Sequence, residues 1–162
     1  MFIIIYKNNK YNMENSKLVE NIKKLDAPGR DKFKKLCYKL GYEFGEPTNE
    51  KLAYDCFFKY KGKVYLVELK DRKPEYEKYD ELILEVDKYN RVMNWKERLN
   101  AAGCYYVQWF GNTAYIFNLE EDYITQHQER KIMNRVTAAS TTDKCFKDVY
   151  LVNKKNAKKF EL

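Results

Sequence analysis

Three charged residues sit inside runs that otherwise read as buried strands. Asp55 lies in AYDCFF, and Glu68 and Lys70 interrupt VYLVELK, with apolar or aromatic side chains on either side. Between the runs stands KYKGK, whose Gly62 supplies the permissive residue of a tight turn. The two runs therefore predict a hairpin turning about Lys61 and Gly62. With Tyr60 facing Lys63, the register puts Asp55 opposite Glu68, their Cβ atoms about 4.5 to 5.5 Å apart, and Lys70 two positions beyond on the same face. A two- or four-residue loop keeps this register, whereas a three-residue loop shifts it by one.

Like charges facing each other across a sheet repel, so this pairing calls for a compensating charge. A divalent cation supplies one: two carboxylate oxygens, a backbone carbonyl and water make the partly hydrated oxygen site that Mg²⁺ prefers. Such an ion acidifies water and offsets charge developing on a phosphate, while a neighbouring lysine orients the water or neutralises the phosphate. This is the chemistry of phosphodiester hydrolysis. The plainer alternative is a solvated face on which Lys70 pairs with Asp55 or Glu68. The register, the apolar surroundings and the surplus of basic residues favour a site.

That surplus is 31 Lys and Arg against 24 Asp and Glu, a net charge of +7 spread along the chain. It suits a polyanionic partner, and it equally suits solubility. The length, 162 residues, fits a single domain spanning 1–162 with one substantial core. Cys37, Cys56, Cys104 and Cys145 form no C-x-x-C pair and His127 is the only histidine, which argues against structural zinc. The thiols read as reduced and mostly core residues, and Cys56, without a histidine partner, is not a nucleophile. His127 reads as a surface residue. The opening MFIIIY is too short for a signal-peptide core or a membrane span and reads as a short strand or frayed end. Met13 offers a second possible start. A cytoplasmic location is expected, and the Lys-, Asn- and Tyr-rich usage suits an AT-rich bacterial or viral genome.

The elements that must position the charged residues follow from periodicity. Leu18, Ile22 and Leu25 mark a helix over Ser16–Leu25, interrupted by DAPGR; Phe33, Leu36, Cys37 and Leu40 mark another, with Gly41 as its C-cap. Lys32, Lys34, Lys35 and Lys39 lie off that stripe, as on a solvated face. After the hairpin comes the charged stretch DRKPEYEKYD, then a helix with the stripe Leu82, Val86, Tyr89 and Met93, ending near Gly103. CYYVQWF and TAYIFNL flank GN as a second hairpin. Residues 120–147 give no clear pattern. A short strand at Val149–Val152 precedes a basic tail containing Lys154, Lys155, Lys158 and Lys159. The alternation predicts an α/β layer fold with a mixed sheet.

With Asp55, Glu68 and Lys70 in this arrangement, the chain resembles the PD-(D/E)xK nuclease superfamily, whose motif is an acid on one strand and an acid-x-Lys on the next. The similarity covers roughly Gly29 to Leu119. It implies the restriction-endonuclease-like core, a mixed central sheet flanked by helices. It also implies that Asp55 and Glu68 bind Mg²⁺, or Mn²⁺ in its place, that Leu69 offers its carbonyl to the metal, and that Lys70 helps activate water. Tyr54 stands where a proline commonly precedes the first acid. Asp31, the nearest acid in the first helix, points away from the apolar stripe and takes no role. Glu85 and Tyr89, on the following helix, are candidates for the accessory residue that many members carry there, and equally for packing residues. Arg72 and Lys73 stand at the mouth of the site, placed to grip phosphates or to form a charged turn. Trp95 and Trp109 are candidates for stacking bases, or for the core. The expected function is a metal-dependent nuclease hydrolysing DNA phosphodiester bonds, on branched or single-stranded DNA, with a homodimer suited to paired cuts. The alternative is a non-catalytic nucleic-acid-binding or assembly protein that keeps the nuclease fold.

Overall fold

A computed structural model describes residues 27–48, 53–135 and 143–162. The helix expected over Ser16–Leu25 and the strand expected in MFIIIY lie outside them. Residues 27–39 are helical (α1), so Ala27, Pro28 and Gly29 of DAPGR are part of this helix. Its apolar stripe is buried as expected at Phe33, Leu36 and Cys37, while Leu40 is exposed. Gly41, at φ +72°, closes the helix, and Tyr42 N–H donates to the Cys37 carbonyl at 2.8 Å.

The predicted hairpin is present as β2 (Cys56–Tyr60) and β3 (Lys63–Arg72), with β1 (Glu43–Gly45) antiparallel on its outer side. Lys61 and Gly62 both have positive φ, 49° and 75°, the two-residue turn whose twist matches its strands. The second hairpin, β5 (Gly103–Phe110) and β6 (Thr113–Asn118), turns at Gly111 and Asn112. β5 lies parallel to β3, so the chain must cross over between them; it does so through β4 (Glu81–Glu85) and α2 (Val86–Arg98).

Two expectations change here. The apolar spacing of Leu82 and Val86 fits a helix, but Leu82 and Leu84 also alternate, and ELILE forms β4 by pairing with β8 (Lys144–Asn153). The helix therefore starts at Val86 and ends at Arg98, short of Gly103. The strand expected at Val149–Val152 is the buried half of the longer β8, which also pairs with β7 (Gln128–Asn134) in the stretch that gave no pattern. The basic end is ordered too: Lys154–Asn156 form a 3₁₀ turn and β9 (Lys158–Glu161) pairs with β6. Lys158 and Lys159 lie on this edge strand, where charge discourages further pairing.

The result is a six-stranded mixed sheet, β1-β2-β3-β5-β6-β9, and a three-stranded sheet, β4-β8-β7. On one face of the large sheet α1 covers Cys56, Val67, Leu69, Val107 and Trp109. On the other, α2 and the small sheet cover Leu66, Tyr106 and Phe117 with Leu82, Leu84, Val92 and Val152. β3 and β5 are buried on both faces, which explains their near-continuous apolar runs.

Candidate active site

Alternation along β3 sends Val67 and Leu69 under α1 and Leu66 toward α2, so Glu68, Lys70 and Arg72 share the α2 face. Opposite them, the ladder keeps the expected register from Tyr60–Lys63 down to Cys56–Val67 and stops there. Asp55 is then not a plain ladder partner of Glu68, which corrects the simple cross-strand pair. Its N–H donates to the Val67 carbonyl at 3.0 Å, just before the paired strand begins at Cys56. The Asp55 Oδ2 accepts the Leu69 N–H at 2.7 Å. The acid thus spans Glu68, bonded to the backbone of the residues on either side of it.

Glu68 is 3% exposed, an expensive place for a carboxylate. Burial and then the charge of Asp55 push its carboxyl up, against the pull of Lys88 and Lys70. Lys88, from the first turns of α2, forms a hydrogen-bonded ion pair with Glu68 Oε1. Burial lowers the Lys88 ammonium, and Glu68 and Asp55 together more than reverse this, so that it is held charged. The compensating cation that the facing acids demand is therefore, in part, a side chain. Sequence reasoning missed Lys88 because it drew the helix stripe through Tyr89 and Met93. The fully buried residue of α2 is Val92, and Lys88 stands one turn before it, on the same side.

The other candidates divide. Lys70 is half-buried beside Glu68, paired with Gln108 of β5 in the sheet. Leu69 is buried, its N–H held by Asp55. Arg72 ends β3 on the site's face, within the strand rather than in a turn, and exposed Lys73 opens a 3₁₀ turn, Pro74–Lys78. Glu85 is held by Lys147 of β8 at 3.0 Å, and Tyr89 packs edge-on against Tyr150, so both serve the junction of α2 with the small sheet. Trp109 is 0% exposed and belongs to the core under α1, which removes it as a base-stacking platform. Lys32, expected in solvent, reaches Asp71 at 3.0 Å. Cys56 is a core residue and His127 is exposed, near Glu81 and Glu129, both as expected.

Among the described residues no three or more His, Cys, Asp or Glu side chains gather as a metal cluster. A cation here would rely on two carboxylates, a carbonyl and water, the hard oxygen set that suits Mg²⁺. Asp55 Oδ2 is engaged by the Leu69 N–H and Glu68 Oε1 by Lys88. Among the described residues no helix is long and apolar enough to cross a membrane.

No family model and no curated protein matches the sequence. Among solved structures, the fold is similar to that of Hjc from Archaeoglobus fulgidus, a Holliday junction resolvase from an archaeal hyperthermophile. The TM-score is 0.53 at 13% identity, over 84% of this chain and 90% of that one. The likeness is one of fold, and the present chain shares the restriction-endonuclease-like fold of that resolvase.

Proposed function

We propose that this protein is a metal-dependent nuclease that hydrolyses phosphodiester bonds in DNA, with branched DNA as the favoured substrate. The observation that carries the reading is the buried Glu68, flanked by the backbone-anchored Asp55 and by Lys70 on one face of the sheet. Buried charges perturbed by burial and by specific charge partners concentrate at functional sites. The nuclease fold of a junction resolvase supports the chemistry, and the net charge of +7 suits a polyanion.

Asp55, Glu68 and the Leu69 carbonyl would hold the cation. When bound, Mg²⁺ or Mn²⁺ supplies charge neutralisation at the phosphate and acidifies water. Lys70 orients the attacking water and faces the negative charge that develops on the phosphate. Arg72 and Lys73 hold the phosphates flanking the scissile bond. Lys88 favours the ionised form of Glu68, against burial and the charge of Asp55, and aims the carboxylate. Incubating wild type, Asp55→Asn and Lys70→Ala with Mg²⁺ and single-stranded, duplex or branched DNA tests this; equal activity in all three proteins would sink it.

One observation favours a second reading. The Lys88–Glu68 ion pair already compensates the acid, as it would in a protein that keeps the fold and binds DNA without cutting it. Such a binder shows salt-sensitive DNA affinity and takes up no Mg²⁺ in a calorimetric titration.

A further inference from the structure

Next to Lys70, on the same face of β3, lies a cleft of about 330 Å³ lined by Arg72, Tyr76, Tyr79, Ile83, Gln108 and Phe110 among others. We infer that it seats one unpaired nucleobase of the bound strand, an inference that rests on the nuclease reading above and names its substrate class.

The cleft's position follows from strand geometry. Arg72 is two residues beyond Lys70, about 6.6 Å along the strand, so a chain held at Lys70 passes the cleft within roughly one nucleotide step. Its floor is fixed: the Gln108 side-chain amide donates to the Ile83 carbonyl at 3.2 Å and to the Tyr106 hydroxyl at 2.8 Å. Its wall is aromatic. Tyr76 and Tyr79 stack with ring centroids 6.3 Å apart at 22°, yet are 45% and 52% exposed and belong to neither core cluster. Two large rings left in solvent on a concave surface mark a ligand site more than a packing site.

The chemistry selects the occupant. The volume stands at the small end of ligand pockets, enough for one base and its sugar. Aromatic faces accept any base by stacking, independent of sequence. Arg72 at the wall, Lys73 beside it and Lys78 over the Tyr79 ring, 5.3 Å from its centroid, are the charges that the attached phosphates need. A base within an intact duplex is stacked on both sides and cannot enter. The cleft therefore recognises the unpaired nucleotide at a single strand or a branch point.

The test is equilibrium binding in EDTA, so that cleavage plays no part. Wild type, Tyr76→Ala/Tyr79→Ala and Tyr79→Trp are titrated with a single strand, a branched DNA carrying unpaired 2-aminopurine at the branch, and a continuous duplex. The double alanine variant is expected to lose about tenfold in affinity for the first two with the duplex unchanged, to abolish the 2-aminopurine signal, and Tyr79→Trp to keep both. Unchanged affinities, or equal losses on all three DNAs, overturn the inference. If wild type does not cut yet the double alanine variant shows this selective loss, the nucleobase cleft stands and the catalytic reading falls. If it cuts and the alanine variant binds normally, the cleft falls alone.

Discussion

Lys88 of α2 pairs with Glu68 of β3, so the most buried acid of the site is neutralised from the helix that packs over it rather than from its own strand. Asp55, anchored on the Leu69 N–H, presses its own charge on the same carboxyl. Glu68 is thus placed between a resident lysine and a repelling acid.

Removing that lysine should expose the repulsion. Losing one partner of a buried pair costs about 3 to 5 kcal/mol. The Lys88 side chain is 37% exposed, so solvent screening brings the expected loss for Lys88→Met to about 2 kcal/mol in EDTA. Mg²⁺ should then raise the melting temperature of Lys88→Met by more than that of the wild type, since the ion replaces the missing charge. Thermal denaturation with and without Mg²⁺ measures both effects; identical Mg²⁺ responses would place the cation elsewhere.

Asp55 separates structure from chemistry. Asn at this position can still accept the Leu69 N–H while removing the charge that repels Glu68, so Asp55→Asn should be at least as stable as wild type in EDTA. Asp55→Ala loses the acceptor and should cost about 1 kcal/mol. Both variants should bind Mg²⁺ at least tenfold more weakly by calorimetry. A strongly destabilised Asp55→Asn would make Asp55 a structural residue.

The hairpin turn offers a direct check on the register that sets up the site. Lys61 holds φ 49° next to Gly62, a conformation that Asn adopts more readily than Lys. Lys61→Asn should stabilise the protein by about 0.5 kcal/mol with activity unchanged, as read by urea denaturation. Destabilisation would mean that the turn is built differently.

Burial pushes the Cys37 and Cys104 thiols up to about 12, and burial, reinforced by the charge of Asp55, pushes Cys56 well up. Cys145 is only half-buried, near the outer end of β8. A disulfide reagent at pH 8 should modify Cys145 first and the other three at least about 100-fold more slowly, until the protein unfolds. Three fast thiols would contradict the packing around β2 and β5.

The features that sequence made legible are those fixed locally. Gly62 and the aromatic runs specify the β2–β3 hairpin, Gly41 ends α1, and the charges of VYLVELK stand out because the strand around them is buried on both faces. What it hid depends on distant partners. Leu82 and Leu84 pair with Val152 and Tyr150, about seventy positions away, and in isolation their spacing fits a helix running into Val86 equally well. Lys88 was hidden for the same reason, since its side of the helix is defined by what Val92 packs against. The place of Asp55 just outside the ladder was invisible because nothing in AYDCFF marks where the ladder stops.

In the proposed reaction Asp55, Glu68 and Lys70 cut DNA with a divalent cation. Its most direct measurement is Mg²⁺-dependent cleavage of a branched DNA by wild type, Asp55→Asn and Lys70→Ala, each first shown to be folded and to bind that DNA in EDTA. Wild type should cleave and EDTA should abolish that cleavage, while each variant should cleave at least about 100-fold more slowly at undiminished DNA affinity. Wild-type binding without cleavage in either Mg²⁺ or Mn²⁺, or cleavage that survives both substitutions, would contradict it.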